Sequence, residues 1–171
     1  DKAVFPGFQG GPHMNNTAAK AVAFGEALKP EFRDYAAQVI KNAKVLAKTL
    51  MAKGARLITN GTDNHMMLID TITSFDKSGK EIEVALDKVG ITLNKNMIAD
   101  DPRSPMDPSG VRLGTPAITT RGMKEEEMKQ IAEWIVDVAK HTENDAHLKK
   151  LKGDVETFCK KFPVPGIDIK P

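Results

Sequence analysis

"RLITNGTDNHMMLID", Arg56 to Asp70, decides the fold class. Arg56-Leu57-Ile58-Thr59 and Met66-Met67-Leu68-Ile69-Asp70 are short apolar runs. Asn60-Gly61-Thr62-Asp63-Asn64 between them is turn chemistry, so the stretch predicts two short strands. Upstream, Pro30 suits the first turn of a helix. Phe32, Tyr35, Ala36, Val39, Ile40, Ala43, Leu46, Ala47 and Leu50 then recur at helical spacing up to a stop at Gly54. A shorter helix through about Leu28 precedes it, with Asn15 or Asn16 as the expected cap. Downstream, Ser78 and Glu81 have the spacing of a capping box. The helix they open carries Ile82, Ala85, Leu86 and Val89 on one face and ends at Gly90.

Ile91-Thr92-Leu93 reads as a third strand. Asn94 to Ser109, with three prolines and no apolar periodicity, reads as a long loop. Val111-Arg112-Leu113, between Gly110 and Gly114, reads as a fourth strand. Two closing helices follow. Glu125, Glu126 and Glu127 open one, with Met128, Ile131, Ala132, Ile135, Val138 and Ala139 inside; Leu148, Leu151, Val155, Phe158 and Phe162 line the other. Short strands with helices laid against them predict an α+β fold, not a doubly wound parallel sheet.

Bulk properties narrow the function classes. The 171 residues carry a net charge of +2 and 5% aromatics, which argues against nucleic acid or an acidic membrane as partner. No apolar run approaches the roughly 20 residues that span a bilayer. One cysteine, Cys159, forms no intrachain disulfide and reads as a structural thiol in a reducing compartment. The chain opens on Asp1 and enters a glycine-rich motif at once, so a fragment of a longer protein is expected. His13, His65, His141 and His147 show no metal-ligand spacing; His141 and His147, six apart, would not share a helical face. No metal site is expected.

Three stretches have the chemistry of a binding site. Gly7 to Pro12 supplies backbone N–H groups ahead of a helix, suited to a phosphate, or else forms a tight turn. Asn94-Lys95-Asn96 offers amides for a heterocyclic ligand, or is turn chemistry. Arg112 either points a solvated head off an edge strand or presents its planar fork to a carboxylate.

Taken together, Phe5-Pro6-Gly7-Phe8-Gln9-Gly10-Gly11-Pro12, Gly61-Thr62-Asp63-Asn64-His65, Asn94-Lys95-Asn96 and Ser109-Gly110-Val111-Arg112-Leu113-Gly114-Thr115-Pro116-Ala117 resemble, in this order, the C-terminal portion of serine hydroxymethyltransferases. The resemblance runs through essentially the whole chain. It implies the small C-terminal α+β domain of a fold-type I pyridoxal-phosphate enzyme over residues 31–171, preceded over residues 1–30 by a helical end of the large cofactor-binding domain. It implies an activity interconverting serine and glycine, with tetrahydrofolate as one-carbon acceptor, in a cytoplasmic homodimer. By the same resemblance Arg112 binds the substrate α-carboxylate, and Asn96 contacts folate. Gly10 and Gly11 reach the cofactor phosphate of the neighbouring subunit.

No catalytic residue is expected within the segment. The family's cofactor-binding lysine lies in a threonine-rich motif that this sequence does not contain, so the 171 residues alone are expected to be inactive. Two alternatives stand beside this reading: the C-terminal domain of another fold-type I enzyme such as an aminotransferase, and a stand-alone amino-acid-binding regulatory module.

Overall fold

The computed structural model describes residues 1–167, which fall into two compact units dividing between Ala36 and Ala37. The first holds a kinked helical turn over Ala3–Phe8 and helix α1, Met14–Ala27. The expected asparagine cap is not used. α1 starts one residue before Asn15, with His13 at the N-cap and no side-chain capping bond. None of its residues is buried, and Val22, Phe24 and the following Leu28 are exposed. Helix α2, Pro30–Ala52, begins at the anticipated proline, and Gly54 follows at φ +96°.

In the second unit α2 contributes Ala43, Leu46, Ala47 and Leu50 to one core cluster. Asn42 on the same face is fully buried and was not anticipated. Its Nδ2 donates to Thr119 Oγ1 and to the Met123 carbonyl, each at 2.9 Å, and its Oδ1 accepts from Gln38. A buried amide satisfied on both ends is tolerated where an unpaired one would not be.

The sheet has four antiparallel strands in the order β1-β2-β4-β3: β1 Arg56–Leu57, β2 Met66–Asp70, β3 Asn94–Asn96 and β4 Gly110–Gly114. Between β2 and β3 lie α3, Thr71–Phe75, and α4, Gly79–Lys88; α5, Pro116–Thr120, α6, Glu125–Lys140, and α7, Asp145–Cys159, follow β4. This is the predicted α+β arrangement. Leu57, Ile69 and Val111 face one another across three strands and join Met67 in the helix-covered core. Ile82, Ala85, Leu86 and Val89 of the α4 segment, with Met128, Ile135, Val138 and Leu148, complete it.

Further details differ from the sequence expectation, beginning with β1, which ends at Leu57 and not at Thr59. The third strand is Asn94–Asn96, not Ile91–Leu93, so the long loop begins only at Met97. Ile91 and Leu93 instead pack as half-buried side chains against the core. α3 and α5, five residues each, are too short to show a 3.6-residue period. They are set by local signals: Asp70 caps α3 by accepting from Thr73 N, and Pro116 sits in the first turn of α5. Cys159 is half-buried at the end of α7.

The Ser78–Glu81 capping box forms as read, with both reciprocal hydrogen bonds present. It fixes the start of α4 against the loop before β4, where Gly79 N donates to the Pro108 carbonyl at 2.8 Å.

Candidate functional site

β4 lies between β2 and β3, so Arg112 stands on an interior strand, not on an edge. Its Cα partners are Leu68 on one side and Asn94 on the other. Val111, one residue earlier, is fully buried beneath the helices; alternation therefore turns Arg112 to the opposite face. A one-residue register slip would drive the guanidinium into the apolar core, which the burial of Val111 and Ile69 forbids. Arg112 is exposed, and its guanidinium makes no hydrogen bond or ion pair with any described residue. By contrast Arg56 pairs with Asp70 at 2.7 Å, Arg103 with Asp107, and Arg121 donates to the carbonyls of Phe162 and Cys159.

An open cleft of about 470 Å³ surrounds Arg112, lined also by His65, Met66, Thr92, Asn94 and Gly114. His65 and Asn94 thus stand beside the arginine although neither was singled out for this site. The register Asn94–Arg112 is what a reading of isolated motifs could not supply. Thr62 and Asn64 order the turn before β2. Thr62 Oγ1 donates to the Met66 carbonyl at 2.6 Å and Asn64 Oδ1 accepts from Met66 N at 2.9 Å.

Asn96 lies two residues along the same edge strand, opposite Gly110, and its amide Nδ2 donates to the Met97 carbonyl. Lys95 points to the other face, where it pairs with Glu83 of α4 at 2.9 Å. Hydrogen bonds from the Lys95 ammonium and backbone hold the Glu83 carboxyl below its ordinary range. Lys95 is therefore engaged structurally.

The loop after β3 is organised by one carboxylate. Asp101 accepts from the N–H groups of Ile98, Arg103 and Ser109 and from Ser109 Oγ at 2.7 Å. Desolvation would raise its pKa, but the Ser109 hydroxyl and the three N–H groups outweigh that and hold it at about 2. Its folded value lies below an unfolded one of about 3.9. The stabilisation is therefore complete above about pH 4 and is lost as pH falls through about 2. Amide NMR of Ile98, Arg103 and Ser109 should show the loop opening across that window in the unmodified protein. In Asp101→Asn the same signals should show a loosened loop already at neutral pH; a variant with unchanged signals would contradict the assignment.

Gly10 and Gly11 belong to the first unit. Both are exposed, neither has a positive φ, and a Cβ at either would meet nothing within 4 Å. The unit's own backbone thus gives no reason for glycine at either position. Neither N–H donates to any described residue.

The serine hydroxymethyltransferase family model matches residues 1–135. The chain belongs to the serine hydroxymethyltransferase family. Proteins named serine hydroxymethyltransferase from two strains of Xanthomonas campestris pv. campestris, B100 and 8004, are each 55% identical to it over 163 residues. The match covers 95% of this chain and 39% of each relative. The chain therefore spans well under half the length of these serine hydroxymethyltransferases. Family membership counts against the aminotransferase and regulatory-module alternatives. Among the described residues no helix is long and apolar enough to cross a membrane.

Proposed function

We propose that this chain is the C-terminal part of a serine hydroxymethyltransferase that interconverts serine and glycine, with tetrahydrofolate accepting the one-carbon unit. The observation that carries the reading is the unpaired Arg112 guanidinium, held on an interior strand and exposed in an open cleft. Its fork binds the substrate α-carboxylate and so orients the amino acid. His65 and Asn94, which line the same cleft, bound the space available to the substrate.

Asn96 contributes to the folate pocket beside it, with its side-chain carbonyl oxygen free to accept a hydrogen bond. The backbone N–H groups of Gly10 and Gly11 hold the phosphate of pyridoxal phosphate in a neighbouring subunit. When bound, the cofactor supplies the electron sink on which the reaction depends. The chain's own part is to bind and orient substrate.

Residues 1–30 belong to the large domain and the remainder to the small one. The working form is a homodimer in the cytoplasm, and the exposed apolar side chains of α1 support a packing partner for the first unit.

These 171 residues contain no counterpart of the family's cofactor-binding lysine motif. Supplied with pyridoxal phosphate, serine and tetrahydrofolate, they should form no glycine above the protein-free control. A second preparation in which the same residues follow a lysine-bearing large domain should do so. Glycine formation by the 171 residues alone would overturn this assignment of roles.

A further inference from the structure

His141 and His147 are not scattered. α6 ends at Lys140 and α7 begins at Asp145, so the six-residue separation spans an interhelical turn and not one helix. Asn144 caps α7 by accepting from His147 N at 3.1 Å, which fixes His147 in the first turn. Asp137, one turn back on α6, places one carboxylate oxygen against each imidazole. Its Oδ1 is 3.0 Å from His141 Nδ1 and its Oδ2 is 2.7 Å from His147 Nε2. One ligand atom from each of the three residues lies within 4.8 Å of the others, and the two rings stand 4.7 Å apart.

We infer that Asp137, His141 and His147 form a binding site for a first-row divalent transition cation, with zinc the natural probe. Two imidazoles and one carboxylate are a donor set for such ions and a poor one for magnesium or calcium, which want oxygen. Metal–ligand bonds of about 2.0–2.1 Å in a tetrahedron put donors about 3.3 Å apart. That separation lies inside the present spread of 2.7 to 4.8 Å, so small side-chain rotations suffice.

The three side chains are between a third and a half exposed, which leaves water to complete the coordination. The C-terminal end of α6 favours a cation and the first turn of α7 opposes one, so the helix dipoles largely cancel and the donor set carries the inference. His141 Nδ1 lies 2.8 Å from the Asp137 carbonyl as well, and must exchange that contact for the metal. Neighbouring carboxylates are already engaged: Glu143 by Lys77 at 3.2 Å and Asp145 by Lys88 at 2.8 Å. A bound ion would tie α6 to α7 across the turn.

The test is a titration of the purified protein with zinc chloride against a chromophoric chelator, repeated for D137N, H141Q and H147Q. One saturable equivalent is expected in the unmodified protein. Loss of a direct ligand should weaken it by more than about tenfold, since even outer-shell partners are worth that much. Thermal melts should show zinc raising the midpoint of the unmodified protein but not of folded H147Q, with magnesium without effect on either. Absence of saturable uptake would overturn the inference, as would uptake unchanged in all three variants.

Discussion

Arg112→Ala, made in the preparation that joins these residues to a lysine-bearing large domain, is expected to lower kcat/KM for serine by between about 30-fold and several thousand-fold. Arg112 is exposed without ligand and becomes part of a desolvated pair only when a substrate carboxylate covers it; removing one partner of such a hydrogen-bonded pair costs about 2–5 kcal/mol, and each 1.4 kcal/mol is about tenfold. The structure argues for a binding loss without misfolding. Arg112 is exposed and its guanidinium makes no hydrogen bond or ion pair with any described residue, so the melting temperature should hold. Arg112→Lys should recover only part of the loss, because an ammonium restores the charge but not the two parallel N–H donors. Equal kcat/KM in the lysine variant and the parent would reduce the role to a point charge.

Gly79→Ala should be the most damaging small substitution in the second unit. A Cβ there would meet the Gly110 carbonyl oxygen at 2.0 Å, its carbon at 2.8 Å and the Pro108 carbonyl oxygen at 3.1 Å. All three are backbone, so no side chain can swing aside. α4 would have to move away from β4, breaking the Gly79 N to Pro108 bond on the way. Overpacking usually costs about 1–3 kcal/mol and more where backbone must shift. At about 3 kcal/mol the melting temperature would fall by about 6–12 °C.

Gly153→Ala is the control. It lies within α7 with open space around it, and should leave stability unchanged or raise it by up to about 1 kcal/mol. Similar melting temperatures for Gly79→Ala and the parent would show that α4 does not abut β4 as described. Because Gly110 begins the strand that presents Arg112, the same substitution should also blunt substrate binding.

The parts of this architecture legible in the sequence are those with a long period or a local chemical signature. α2, α4, α6 and α7 announce themselves by spacing, Pro30 and Gly54 by backbone restriction, and Ser78 with Glu81 by reciprocal capping. β3 was misplaced because Ile91-Thr92-Leu93 is the apolar run, whereas Asn94-Lys95-Asn96 forms a strand only by pairing with β4. Propensity yields there to tertiary hydrogen bonding.

At the candidate site Arg112 could be singled out but not aimed. Its direction depends on Val111 being the buried member of the pair, and its neighbours Leu68 and Asn94 are set by register. His141 and His147 illustrate the same limit. Helical geometry separates residues six apart, but the turn between α6 and α7 brings them onto Asp137. Asn42 shows the converse, a polar residue on an apolar stripe whose partners Thr119 and Met123 lie about eighty positions away.

The central claim is that Arg112 recognises a carboxylate. It is tested most directly by a cycle combining one protein change with one ligand change. Binding of serine and of 2-aminoethanol, which lacks the carboxyl group, would be measured for the holoenzyme and for Arg112→Ala. If Arg112 holds the carboxylate, the parent prefers serine strongly and the variant loses nearly all of that preference, while 2-aminoethanol binds both proteins alike. A variant that still prefers serine as strongly as the parent does would contradict it.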